Sequence, residues 1–284
     1  VRRLIIGCGY LGCRVADLWR EEGDRVKALT RTADRARILR DRGLHPLVGD
    51  VSQPGTLADL PSVDTVLYAV GYDRHAGLSK HEVYVQGLRH VLAAIPASVS
   101  RFVYVSSTSV YGQRQGEWVD ETSECQPTSE GGSICLQAER LLRDQLQGRV
   151  PYQILRHSGL YGPGRLIARL SALRSREPLP GNPLGWLNLV HVDDAARAIL
   201  LCSRRSTEAE TLLVTDSEPF VRRRYYEALA ALVGVPAPVF REEPEPRADL
   251  GKRCSNRRLC EAIGPWQTYP TIAEGLPHAV SATS

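Results

Sequence analysis

Short runs of Val, Ile and Leu alternate along this chain with longer segments whose apolar residues recur every three or four positions. The runs at 3–6, 25–30, 45–48, 65–69, 102–106 and 152–156 have the length and β-branched content of buried strands. The segments at 11–22, 33–42, 80–95 and 134–147 have the spacing of amphipathic helices. Strands that are apolar on both faces need cover on both sides, so the alternation predicts an α/β protein with a doubly wound parallel sheet. Right-handed crossovers then align the strand C-termini, and any ligand, along one edge of that sheet.

After 156 the pattern changes. Residues 161–186 are rich in Gly and Pro around a single helix. Strands are predicted at 187–192 and 211–215, with helices at 194–202 and near 225–232, and the tail carries several Pro-rich turns. The expected organisation is a sheet domain over 1–160, to which 187–215 return. Residues 161–186 and 216–284 would form a smaller, C-terminal, substrate-facing lobe.

Composition narrows the class. The 284 residues contain no apolar run of membrane-spanning length, and the N-terminus enters a strand without signal-peptide architecture. Seven cysteines, an odd number without C-x-x-C spacing, read as reduced thiols and suggest a cytoplasmic protein. Cys8 and Cys13 flank a glycine turn, and no metal site is expected. The net charge of +4 is spread over dispersed arginines. The densest cluster, Arg222-Arg223-Arg224, reads as the solvated start of a helix, so neither a nucleic acid nor a membrane is an expected partner.

The most specific chemistry lies between the first strand and the first helix. Gly7-Cys8-Gly9-Tyr10-Leu11-Gly12 is a G-x-G-x-x-G loop in the strand–loop–helix setting that binds a dinucleotide pyrophosphate. The first glycine permits the tight turn, the second lets the phosphates approach, and the third lets helix pack on sheet. The second strand ends at Leu29-Thr30-Arg31, where an NAD site usually places a carboxylate for the ribose 2′-hydroxyl. Arg31, with Arg35 one helical turn on, suits a 2′-phosphate instead, so NADP is the expected cofactor and NAD the alternative. Arg31 as a merely solvated side chain is the competing reading.

Four further segments, in order, resemble the extended short-chain dehydrogenases/reductases of the epimerase/dehydratase branch. These are Gly49-Asp50-Val51, Ser106-Ser107-Thr108-Ser109-Val110-Tyr111-Gly112, Arg156 through Tyr161-Gly162-Pro163-Gly164, and Val190-His191-Val192-Asp193-Asp194. The resemblance implies a Rossmann sheet. It assigns Asp50 to the adenine amine and Val51 to ring packing, with Asp50 as a plain turn former the alternative, and places Ala69-Val70-Gly71 beneath the cofactor. It makes Ser107 the residue that bonds the reacting oxygen. The family's Tyr-x-x-x-Lys pair, however, falls at Gly131 and Cys135 when aligned through Pro127 and Glu139.

No tyrosine stands four residues before any of the three lysines, Lys27, Lys80 and Lys252. A non-standard proton donor is therefore expected. Tyr111, His157 and Tyr161 are the candidates, and each has an ordinary packing or hydrogen-bonding alternative. Two functions follow. One is an NADP-dependent oxidoreductase acting on a small polar, sugar-nucleotide-like substrate held in the cleft between the lobes. The other is a dinucleotide-binding sensor or scaffold without turnover. The resemblance also implies a homodimer through the helices starting near Lys80 and Ile134, with Gly131-Gly132 leaving that open.

Overall fold

A computed structural model describes residues 1–241 and 249–281; the parts of the Pro-rich tail at 242–248 and 282–284 lie outside the described residues. The chain divides into two compact units. The first comprises 1–110, 127–156 and 196–212, and the second 111–126, 157–195 and 213–284. Residues 111–126, 157–160 and 187–195, which the sequence pattern groups with the sheet, thus cluster with the second unit.

In the first unit β1 (Arg2–Ile6), α1 (Tyr10–Glu21), β2 (Arg25–Thr30), α2 (Ala33–Asp41), β3 (His45–Val48) and β4 (Thr65–Tyr68) succeed one another. After a π-helical turn at Glu82–Gln86 come α3 (Gly87–Ala94) and β5 (Arg101–Ser107). The main sheet is completed by β7 (Tyr152–His157) and β11 (Ala209–Val214), with β6 (Gln115–Val119) and α4 (Glu130–Leu146) lying between β5 and β7 in sequence. The strand order is 3-2-1-4-5-7-11, and the pairs β2–β3, β1–β2, β1–β4 and β4–β5 are parallel. Strand order reverses at β1, the switch point where ligands bind in doubly wound sheets.

Alternation along the strands explains the burial. Leu4, Ile6, Val66, Tyr68, Phe102 and Tyr104 form one core with Leu88, Val91, Leu92, Ile134, Ala138 and Leu142 of α3 and α4. The intervening Ile5, Leu67 and Val103 are fully buried as well, as expected of a sheet covered on both faces. Behind Ser107 lies a buried ionic cluster. Glu139, fully buried, accepts from Arg156 at 2.9 and 2.7 Å and from Ser106 Oγ at 2.7 Å. Arg143 reaches the same carboxylate at 3.1 Å.

The second unit holds β8 (Gly159–Tyr161), α5 (Ile167–Ser175), β9 (Trp186–Leu187), β10 (Leu189–His191) and the start of α6 (Val192–Ser203). It continues through β12 (Phe220–Val221), α7 (Arg222–Leu232), β13 (Gly251–Cys254), α8 (Arg257–Ile263) and α9 (Ile272–Ser281). Three two-stranded pairs form here: β8–β10, β9–β12 and β6–β13. The strand expected at 187–192 is therefore split into β9 and β10, and neither piece joins the main sheet; of the two expected returns only β11 does. Leu166, Leu170, Leu189, Phe220, Tyr225, Leu229 and Leu276 make this unit's core. The arginines opening α7 are engaged locally: Arg224 pairs with Glu218 at 2.8 Å, and Arg223 lies over the Phe240 ring.

Candidate active site

The glycine loop has the geometry its spacing predicts. Gly7 has φ +96°, and a Cβ there would meet the Ala69 carbonyl at 2.5 Å, so the loop presses directly on the end of β4. A Cβ on Gly12 would meet the Gly7 carbonyl oxygen at 2.5 Å, which fixes the close approach of α1 to the sheet. A Cβ on Gly9 would meet nothing within 4 Å: this is the open side of the cradle. Leu11 is buried, and the Tyr10 ring lies beneath the Arg14 guanidinium at 4.4 Å.

Thr32 caps α2 and Ser129 caps α4 through their side chains, whereas α1 starts at Gly9 with no side-chain cap and no acidic residue in its first turn. The helix dipole favours negative charge at such a start. Open space at Gly9 in front of an uncapped helix fits a dinucleotide pyrophosphate.

Around this cradle the predicted residues take specific places. Arg35 reaches back to the loop, donating to the Cys8 carbonyl at 3.2 Å and to Cys13 Sγ at 3.4 Å, so it braces the cradle. Arg31 pairs with Asp73 at 2.8 Å, both side chains being about half exposed. The Arg31 guanidinium holds the Asp73 carboxyl below its ordinary range. Cys8 and Cys13 place their sulfurs 3.7 Å apart; the hydrogen bond between them pulls the Cys13 thiol down and pushes Cys8 up. Asp50 Oδ1 accepts from the Ser52 amide and hydroxyl, each at 2.8 Å, in the turn after β3. Val51 is buried against Gly87, and its carbonyl contacts His90 Nδ1 at 2.8 Å. Ala69 and Val70 abut Gly7, while a Cβ on Gly71 would find open space.

At the end of β5, Ser107 Oγ accepts from the Ser109 amide at 3.1 Å. A hydroxyl that accepts from a backbone N–H keeps its own proton for another acceptor. Gly131 and Gly132 occupy the first turn of α4. A Cβ on Gly132 would meet the Ser109 carbonyl at 2.2 Å, so glycine is required for the turn carrying Ser107–Ser109 to lie against this helix. Gly131 is different: its Cβ would have only Lys80 Nζ nearby, at 3.9 Å. Cys135, one turn on, hydrogen-bonds with Ser109, and burial raises its thiol.

The other proton-donor candidates belong to the second unit, taken by itself. Tyr111 is 2% exposed, and its carbonyl accepts from Lys252 Nζ at 2.8 Å. His157 ends β7 at 4% exposure, and Tyr161 is fully buried with its hydroxyl against Gly275 and beside Asp216. Burial pushes the Asp216 carboxyl up to about 8. His191, Asp193 and His278 bring their ligand atoms within 4.8 Å of one another. Hydrogen bonds account for that cluster. The Asp193 amide donates to His191 Nδ1 at 3.2 Å, which leaves Nε2–H to donate to His278 Nδ1 at 3.1 Å. Asp194 in turn accepts from the Thr268 and Tyr269 amides at 2.7 and 2.8 Å.

Residues 4–214 match the model of the NAD-dependent epimerase/dehydratase family. The chain is 28% identical to Protein YeeZ of Escherichia coli over 272 residues, covering 94% of this chain and 95% of that one. It is 27% identical to a 3-diazoavenalumate denitrifying reductase of Streptomyces, covering 97% and 99%. Among solved structures, MoeE5 in complex with UDP-glucuronic acid and NAD superposes with a TM-score of 0.79 at 25% identity, over 99% of this chain and 98% of that one.

Proposed function

Since the chain belongs to the NAD-dependent epimerase/dehydratase family, we propose that it is an NADP-preferring oxidoreductase acting on a carbonyl or secondary hydroxyl of a small polar substrate. A nicotinamide dinucleotide is its cofactor, and when bound it supplies or accepts the hydride. The observation that carries the reading is a cradle suited to pyrophosphate in the same unit as a serine whose hydroxyl proton is uncommitted among the described contacts. Ser107 orients the reacting oxygen by donating to it, while the Ser109 amide holds the Ser107 oxygen in place. Arg31 supplies the charge for a 2′-phosphate, exchanging its contact with Asp73 for one with the ligand.

The reductase name of the Streptomyces relative supports hydride transfer, and the sugar nucleotide in the MoeE5 complex supports a substrate of that chemical class. The test is NADPH consumption across a panel of carbonyl compounds that includes nucleoside diphosphate sugars. Turnover that falls at least 100-fold in Ser107→Ala, with NADPH binding unchanged, supports the reading. An intact rate in that variant removes Ser107 from the chemistry. Glycine at 131 and cysteine at 135 favour a second reading, a redox-selective binding protein. That reading requires tight cofactor binding with no turnover and a partner whose affinity differs between NADP and NADPH.

A further inference from the structure

The residues facing the vacated positions 131 and 135 belong to one neighbouring segment. Lys80-His81-Glu82-Val83-Tyr84 carries lysine and tyrosine four residues apart, in the reverse order of the missing pair. The segment opens with a reciprocal cap, the Ser79 amide donating to Glu82 at 2.7 Å and the Glu82 amide to Ser79 Oγ at 3.1 Å. It then widens into the π turn Glu82–Gln86, which packs on α4. Such turns insert one residue and re-aim side chains, and they recur at functional sites. Tyr68 OH donates to the Val83 carbonyl of this turn at 3.2 Å.

Hydrogen bonding separates Tyr84 from its neighbours. Tyr68 spends its proton on Val83, and Tyr72 spends its own on the Leu78 carbonyl at 3.0 Å. Among the described residues Tyr84 only accepts, from the Tyr72 amide at 3.0 Å, so its O–H stays available there. That amide directly follows Gly71, just past the C-terminal end of β4, where a Cβ would find nothing within 4 Å; the phenol itself is half-buried, and burial raises its pKa. Lys80 brings its ammonium to 3.9 Å from the Cβ position of Gly131, with Glu130 at 3.6 Å, and its charge reaches the Cys135 thiol.

We propose that Tyr84 is the proton donor of the reaction and that Lys80 supplies the positive charge lost at 135, so that the segment Lys80–Tyr84 replaces the Tyr-x-x-x-Lys pair. This rests on the oxidoreductase reading above. In the reducing direction a reduced nicotinamide, when bound, would supply hydride to the carbonyl carbon, and the C=O π pair would move to oxygen. That oxygen takes the Tyr84 proton as the phenol O–H bond breaks. Solvent reprotonates the phenolate, so carbonyl, hydride and one proton give the alcohol while the dinucleotide loses two electrons. The titratable groups around the phenol are Tyr68, Tyr72, Tyr104 and Cys135, with Lys80 on its own segment.

The deciding experiment follows tyrosine ring-carbon NMR signals of the whole protein against pH, alone and saturated with NADP or NADPH. Tyr84 is assigned by its loss in Tyr84→Phe, or in Tyr84→Trp should the first variant misfold. A phenol beside the nicotinamide titrates at least one pH unit lower with NADP, whose oxidised ring is cationic, than with NADPH, and Lys80→Gln moves it back up. A Tyr84 midpoint that is the same with both cofactors, while both bind, overturns this inference and leaves the oxidoreductase reading standing. Failure of either cofactor to bind overturns both.

Discussion

Adjacent glycines at the start of α4 should respond oppositely to the same substitution. Gly132→Ala places a methyl 2.2 Å from the Ser109 carbonyl oxygen and 2.8 Å from Pro127 Cβ. The first contact is about 0.8 Å shorter than the 3.0 Å limit that real contacts respect, and a backbone carbonyl cannot step aside alone. The turn 108–110 must move with it, at the cost of about 1–3 kcal/mol typical of overpacking. Gly131→Ala meets only the flexible end of Lys80, at 3.9 Å, in a helical position. There the gain in helix propensity and the lower entropy of the unfolded chain stabilise by about 0.4–1 kcal/mol. At about 2–4 °C per kcal/mol for chains of comparable size, the two variants should bracket the parent protein by several degrees in thermal unfolding. Gly132→Ala should also lower turnover, because Ser107 is held by the amide of Ser109, whose carbonyl is the displaced atom. Equal melting temperatures for the two variants would refute the argument that Gly132, and not Gly131, is fixed by close packing.

Three other outcomes follow from named contacts. Glu139→Gln leaves Arg156, 4% exposed, without its buried counter-ion; chemical denaturation should register a loss of about 3–5 kcal/mol, and a loss below 1 kcal/mol would contradict it. Asp73→Asn removes the carboxylate that competes for Arg31, so NADPH should bind up to about 5-fold tighter while NADH is unchanged, in line with the small worth of an exposed pair. Asp216 has its folded-state pKa raised from 3.8 to about 8, so the neutral form is favoured on folding. Its contribution is full below pH ~4 and lost as pH rises through about 8, by at most about 1.4 kcal/mol per pH unit. Asp216→Asn should flatten the fall in urea stability between pH 5 and 8, and an unchanged slope would reject that assignment.

The sheet was legible because its strands are local apolar runs buried on both faces; β2 and β3 match their predicted limits, and the others differ by a residue or two. The second unit was less so. Its β6–β13 pair joins 115–119 to 251–254, segments containing Gly116, Gly251, Lys252 and Arg253 that carry no strand pattern. Their pairing depends on distant partners, such as Arg253 between Trp118 and Trp186 at 5.0 and 5.1 Å from the ring centres. The helix expected at 80–95 is interrupted by a π turn that apolar spacing does not encode. The candidate site divides the same way. Gly7, Gly9 and Gly12 were readable because glycine is needed at fixed offsets in such a loop. A search for tyrosine before lysine passed over Lys80 and Tyr84, which stand at the right spacing in the opposite order. Arg156, a charged residue in a fully buried strand, was the signal that a buried counter-ion such as Glu139 must face it.

The central claim is that this chain binds a nicotinamide dinucleotide through the α1 cradle and prefers the 2′-phosphorylated form. Fluorescence titration of the purified protein with NADPH and NADH tests it most directly. The account predicts saturable binding of both, with NADPH tighter and the difference abolished in Arg31→Ala. Equal affinity for the two in the parent protein would contradict the role of Arg31, and binding of neither would contradict the claim itself.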